Sequence, residues 1–270
     1  MSKPKLKVLV IGATGSVGRL VVAEAIRQGH AVRALVRSRE KARDLPRELE
    51  VFIGDLTRPD TLSDAVGGID GLIFTHGSDG AGKIGAENVD YGGVRNVLRA
   101  LVPQKVRIAL MTAIGVTDRL GPYNRSTEAH DWKRRSERLV RASGLIYTVV
   151  RPGWFDYNAP EEHKLVLLQG DTRHSGNPSD GVIARQQIAQ VLVTSLTSEG
   201  ARDKTFELVA TKGSAQSDLE PLFAALEADP KGALDGVRDA TNMPLEDEPK
   251  RVREDLDVVI TASAHLRATE

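Results

Sequence analysis

The sequence predicts an α/β protein, a doubly wound parallel sheet with a small C-terminal lobe. Three observations predict it. Short β-rich apolar runs alternate with helical patterns through the first half of the chain. Continuous apolar runs such as KVLVI and YTVV suit strands covered on both faces. A glycine-rich turn joins the first run to the first helical pattern. Such alternation builds a parallel sheet with helices on both faces, and right-handed crossovers favour the doubly wound form.

The run KVLVI at 7–11 reads as a buried strand. Over 16–28, Val17, Leu20, Val21 and Ala25 recur at helical spacing, and Gly29 stops the helix. A strand at 31–36 leads to a polar helix near 39–45, and a strand at 50–53 to a short helix at 57–66. A strand at 71–75, a helix at 87–101 and a strand at 106–112 follow. The helix at 128–142 is long and charged and ends at Gly144; residues 146–150 form the sixth strand. Residues 158–180 are rich in Pro, Gly, His and charge, with one apolar run at 165–168. A helix at 185–196, a strand at 205–210 and helices near 219–228 and 248–264 complete the chain. The expected organisation is a nucleotide-binding domain over 1–210, with 152–184 inserted as a loop, and a helical extension over 211–270. An extension of that size is marginal as an independent fold, so it packs on the main body or supplies a homodimer contact.

The 270 residues carry 37 Lys and Arg against 37 Asp and Glu, so the formal net charge is zero. That balance gives no electrostatic case for nucleic acid or an anionic membrane. The absence of cysteine removes disulfides, thiolate zinc sites, iron–sulfur clusters and thiol nucleophiles. The N-terminus lacks a secretory apolar core, and no stretch reaches the roughly 18 apolar residues of a membrane span. The expectation is a cytoplasmic protein acting on a small molecule.

The turn Gly12-Ala13-Thr14-Gly15-Ser16-Val17-Gly18 lies between the first strand and the first helix. Gly12 permits the tight turn, Gly15 lets backbone approach a pyrophosphate, and Gly18 allows close helix–strand packing. The helix start at Ser16 and Val17 supplies N–H donors and positive potential. Strand before, helix after and a βαβ unit around it make this a dinucleotide site, the Rossmann arrangement.

The GxxGxxG spacing, with Thr14 between the first two glycines, resembles the atypical short-chain dehydrogenase/reductase family. It is most similar to the NAD(P)H-binding group of NmrA-like, isoflavone-reductase-like and flavin/biliverdin-reductase-like proteins. The resemblance extends to Gly54-Asp55-Leu56, Asn88-Val89-Asp90-Tyr91, Met111-Thr112-Ala113-Ile114-Gly115-Val116 and the run from Ser143 to Gly153. It implies that Asp55 and Leu56 cap the adenine, and that Thr75, His76 and Gly77 pass close to the nicotinamide ribose. Strand two ends in Val36-Arg37-Ser38, with no acid for a ribose 2′-hydroxyl. Arg37 can instead take a 2′-phosphate through two hydrogen bonds, with Ser38 donating and Arg33 and Lys41 adding positive charge. NADP(H) is therefore expected over NAD(H). Residues Gly77 to Lys83 match Gx4GK, but Ile84 stands where a magnesium-binding Ser or Thr belongs.

Many enzymes of the resembled family use Tyr-x-x-x-Lys with a Ser or Thr after strand five. Lys133 matches the Lys and Thr112 the hydroxyl, but Ala129 stands at the Tyr position. That departure argues against alcohol–ketone chemistry by the Tyr route. It leaves hydride transfer to an acceptor needing little proton help, such as a quinone, a flavin or an enal. It also leaves a substitute acid (His130, Tyr123 or His76) or an NADP(H)-binding redox sensor without turnover. Lys133 sits beside Arg134, Arg135 and Arg138 and can also be read as part of a solvated run. Pro152 belongs to the cofactor side, and Trp154 and Tyr157 suit a wall against a flat substrate. His163 and His174 are too widely spaced for a recognisable metal site.

Overall fold

The computed structural model describes residues 4–268 except residue 79. Strand β1 (Lys7–Ile11) pairs in parallel with β2 (Ala31–Val36) on one side and β4 (Gly71–Phe74) on the other. Beyond β2 lies β3 (Glu50–Ile53); beyond β4 come β5 (Arg107–Met111) and β6 (Tyr147–Pro152), all parallel. The order β3-β2-β1-β4-β5-β6 reverses between β1 and β4, and such a reversal opens a crevice at the carboxyl ends of the strands.

The sheet continues past β6. Strand β7 (Trp154–Phe155) pairs with β9 (Val182–Ile183), and β8 (Lys164–Leu168) and β9 run antiparallel to β10 (Lys204–Thr211), which is parallel to β6. The expected loop over 152–184 thus adds strands to the sheet. Two-residue strands are too short to leave a period in the sequence, so β7 and β9 could not be read there.

Alternation along β1 sends Val8 and Val10 to one face and Leu9 and Ile11 to the other. The first face is covered by α1 (Ser16–Arg27). The second is covered by α2 (Ser63–Val66), by α3 (Gly82–Gly85) with a wide π turn at Ala86–Tyr91, and by α4 (Gly92–Leu101). Next in the chain come α5 (Pro122–Thr127) and α6 (Ala129–Ala142), also on the second face. Helix α7 (Arg185–Ser195) joins α1 on the first. Helix α8 (Glu220–Ala224) lies near β8, and α9 (Lys250–Ala268) packs on α4 and α6 through Val252, Leu256 and Val259.

Three expected helices shrink. The one near 39–45 is a single 3-10 turn, because it has no apolar stripe to bury. The one at 57–66 splits into a 3-10 turn at Pro59–Thr61 and α2. The one at 219–228 stops at Ala224, and the chain turns so that Asp229 reaches Arg141 at 3.1 Å and the Tyr147 hydroxyl at 2.9 Å.

The arginines of α6 are not a solvated run. Arg134, Arg135, Arg138 and Arg141 are all buried. Arg134 and Arg138 share Asp235, Arg135 meets Glu248 at 2.6 Å, and Arg141 meets Asp229. These carboxylates come from residues 229–248, a strap drawn across α6. Lys133 points elsewhere.

Candidate functional site

The crevice is floored by the turn after β1. Gly12 has φ +85°, and a Cβ there would stand 2.7 Å from the His76 backbone nitrogen. A Cβ on Gly18 would fall 2.0 Å from the Gly12 carbonyl oxygen. Both positions therefore demand glycine, and Gly15 donates to the Gly12 carbonyl at 2.9 Å to close the turn. Gly15 and Ser16 are exposed, and the first turn of α1 has no acidic side chain and no side-chain cap. The result is a bare, positive helix start facing solvent, the arrangement that binds a diphosphate. Thr14 is half-buried, and its carbonyl accepts from Arg19 at 3.0 Å; Val17 is buried.

At the end of β4, the Thr75 hydroxyl donates to the Ile11 carbonyl at 3.0 Å, tying the strand end to the glycine turn. His76 follows. Its Nε2–H donates to the Val89 carbonyl at 3.1 Å, while Nδ1 is buried with no hydrogen-bond partner among the described residues. Burial lowers His76 to about 4, with the Asp90 carboxylate opposing. The ring is therefore neutral near pH 7, with a bare acceptor nitrogen. Gly77 is exposed next to it.

Lys133 Nζ pairs with Asp90 Oδ1 at 2.9 Å, and Ser78 donates to Asp90 Oδ2 at 2.7 Å. The π turn carries Asp90, and such wide turns recur at functional sites. The Asp90 carbonyl accepts from Ser136 of α6 at 2.8 Å, which fixes the turn against the helix holding Lys133. Asp90 stood in a quoted motif, but nothing in the sequence assigned it to Lys133, 43 residues on.

The other positions fall as follows. The Thr112 hydroxyl donates inward to Glu137 Oε1 at 2.7 Å. Glu137 is fully buried; burial raises it, but the Arg151 and Arg141 guanidiniums outweigh that and hold it well below the usual range. Arg151 also pairs with Glu207 and Asp239, which fixes the backbone leading to buried Pro152. Burial lowers His130 also; its Nδ1 is buried without a hydrogen-bond partner among the described residues, and its ring lies 5.0 Å from that of Tyr123, which is exposed. Ala129 is buried at the start of α6, so the position expected for a Tyr presents no polar group.

At the end of β2, Arg37 is exposed and makes no ion pair among the described residues, and Ser38 is half-buried beside it. Arg33 adds no charge there. It is buried against Glu50 at 2.9 Å and donates to the Ala65 and Gly67 carbonyls. Asp55 accepts from the Thr57 backbone and hydroxyl at 2.8 Å, contacts that lower it with help from Arg37. The Leu56 carbonyl accepts from Asn96 at 2.7 Å, which orients the Leu56 side chain toward Gly93. Lys83 of the Gx4GK run pairs with Glu128 at 2.8 Å.

The far wall is aromatic. Trp154 and Tyr157 are exposed and meet edge to face, with ring centres 6.2 Å apart. Asp156 between them pairs with Arg185, whose Nε donates to Ser16 Oγ at 3.1 Å. Asp171 accepts from the Gly115 and Thr117 backbones at 2.6 and 2.7 Å and so holds the turn after β5; no sequence signal linked it to that turn. Among the described residues no His/Cys/Asp/Glu group could hold a metal, and no helix is long and apolar enough to cross a membrane.

A doubly wound sheet with a glycine cradle at its switch point defines a dinucleotide-binding Rossmann protein. A family model described as NAD(P)H-binding matches residues 12–199, and the chain belongs to that family. It is 29% identical to sanguinarine reductase of Eschscholzia californica, over 83% of this chain and 97% of that one. It is 26% identical to the photosystem II assembly factor Ycf39 of Synechocystis, over 79% of this chain and 65% of that one. A solved Bacillus halodurans protein, described as an NAD-dependent epimerase/dehydratase, shares the fold. Its TM-score is 0.68 at 24% identity, covering 82% of this chain and 100% of that one.

Proposed function

We propose that the chain is an NADP(H)-preferring oxidoreductase that passes hydride to a small, flat organic acceptor. The cradle at Gly12, Gly15 and Gly18 carries the reading, since its two closest approaches leave no room for any side chain. The bound nicotinamide would supply the hydride. Thr14, Ser16 and Val17 would hold the diphosphate, Arg37 and Ser38 the 2′-phosphate, and Asp55 with Leu56 the adenine. Thr75, His76, Gly77, Lys133 and Pro152 would line the nicotinamide end, and Tyr123, Trp154 and Tyr157 the acceptor.

The proton inventory narrows the acceptor. His76 and His130 are both held neutral by burial, so neither stores a proton near pH 7. The Thr112 hydroxyl is turned to Glu137, and Ala129 offers nothing. The remaining donors are Lys133, held on Asp90, and the exposed Tyr123 and Tyr157 hydroxyls. That set favours quinones, flavins and enals, which stabilise the added electron pair themselves, over simple ketones. The relative named as a reductase supports the same class.

The same tied-down groups favour one second reading, an NADP(H)-binding regulator without turnover, and the relative named as an assembly factor supports it. Steady-state loss of reduced-nicotinamide absorbance with a panel of quinones, flavins and enals decides. Turnover with any of them, reduced by Lys133→Met, supports the enzyme. Tight binding with no turnover across the panel supports the regulator.

A further inference from the structure

Arg185 opens α7, 169 residues from Ser16, yet its guanidinium lies against the start of α1. Nε donates to Ser16 Oγ at 3.1 Å, and Nη1 pairs with one Asp156 oxygen. The Arg185 backbone N–H donates to the other Asp156 oxygen at 2.9 Å, and the Phe155 ring centre lies 5.1 Å beneath the guanidinium. Nη2 makes no hydrogen bond among the described residues. Four contacts thus aim a rigid fork at the glycine turn and leave one donor edge open.

The charges at this point do not balance. The start of α1 is a positive pole with no acid in its first turn. A guanidinium beside it is a second positive charge, and like signs at a helix start are unfavourable. Asp156 is the one carboxylate paired with it among the described residues. Asp156 has φ +58°, in the left-handed region that Asp enters more readily than most non-glycine residues. A carboxylate therefore stands beside two positive groups at the place where a dinucleotide's diphosphate belongs.

We propose that Arg185 is a ligand for the cofactor diphosphate and that Asp156 is its stand-in in the free protein. This rests on the nicotinamide-cofactor reading above. The bidentate fork of arginine suits phosphate oxygens, and Nη2 is the donor held for them. Asp156 lies between Trp154 and Tyr157, so its release links seating of the cofactor to the aromatic wall. The acceptor pocket takes its final form after the dinucleotide is bound.

Calorimetric titration of the full chain with NADPH and with inorganic pyrophosphate tests this. Arg185→Gln should weaken both ligands about 10- to 100-fold, the size of one lost charge-assisted contact. Arg185→Lys should recover part of that loss. Asp156→Asn keeps Arg185, removes its competitor and should tighten both ligands. Pyrophosphate should also shift the emission of exposed Trp154 in the wild type but not in Arg185→Gln; Trp132 is buried away from the loop. If the wild type binds NADPH and Arg185→Gln binds it equally well, the proposal falls alone. The same holds if Asp156→Asn weakens binding. If the wild type binds neither NADPH nor NADH, the cofactor reading falls and this proposal with it.

Discussion

Helices α1 and α6 pack on opposite faces of one sheet by different physics. Helix α1 buries Val17, Val21, Val22 and Ala25 against Val8, Val10 and α7. Helix α6 buries Trp132, Leu139 and Val140 in the second-face core and, with them, Asp131, Arg134, Arg135, Glu137, Arg138 and Arg141. Apolar burial is non-directional, so the first face needs only a stripe of the right width. The arginines of α6 need in addition a matched carboxylate for each guanidinium, because an unpaired buried charge is strongly destabilising. The charge content of a helix therefore does not say whether it faces water. That depends on what the rest of the chain brings to it.

The largest expected effect breaks the charged face. Arg151→Met leaves Glu137, Glu207 and Asp239 without their shared partner and should cost about 3–5 kcal/mol in urea unfolding at neutral pH. Ile188→Ala, on the α1 face, should cost about 2–5 kcal/mol. The two separate by pH. The Arg151 cost should shrink in acid as the carboxylates protonate, and the Ile188 cost should not. Equal pH dependence for both would break the contrast.

Linkage sharpens it further. Glu137 is lowered in the folded protein. It contributes stability that is fully present above its unfolded value of about 4.3 and lost as pH falls through its lower folded value. Glu207 goes the other way: burial pushes it up to about 7, with Arg151 opposing. Between about 4.3 and 7 the folded state holds a proton that the unfolded state has released, so Glu207 makes stability fall as pH rises through that window. His76 and His130, lowered by burial, contribute the opposite sign below about 6.5, so the comparison is between variants: Glu207→Gln should remove a falling contribution across pH 5 to 7, and Ile188→Ala should leave the wild-type profile unchanged.

A smaller effect lies at the tip of α1. Gly18→Ala puts a methyl into the Gly12 carbonyl and should cost about 1–3 kcal/mol by overpacking. It should also weaken NADPH binding more than tenfold by displacing the cradle. Wild-type affinity in this variant would mean that the turn is not where the dinucleotide sits.

Much of the fold was legible because its elements carry local signals. The runs at β1 and β6 are continuous, α1 has an apolar stripe, and Gly12, Gly15 and Gly18 have a spacing with a steric reason. Strands β7 and β9 were not legible, since two residues cannot show a period. The burial of the α6 arginines was not legible, because the partners of Arg134 and Arg135, Asp235 and Glu248, lie 101 and 113 residues away. At the candidate site the missing Tyr at Ala129 was plain once the family resemblance set the Tyr-x-x-x-Lys pattern on Lys133. The Asp90–Lys133 and Asp156–Arg185 pairs were not, because each joins groups that the crossovers bring together and periodicity does not report.

The smallest change in stability carries the central claim. Arg37 is exposed and unpaired among the described residues, so Arg37→Ala should shift stability by no more than about 0.5 kcal/mol. Its effect should appear instead in titrations of the purified chain with NADPH and NADH. The expected result is NADPH bound at least about tenfold tighter than NADH, with the difference erased in Arg37→Ala. Equal binding of the two would contradict the NADP preference, and no binding of either would contradict the proposed oxidoreductase.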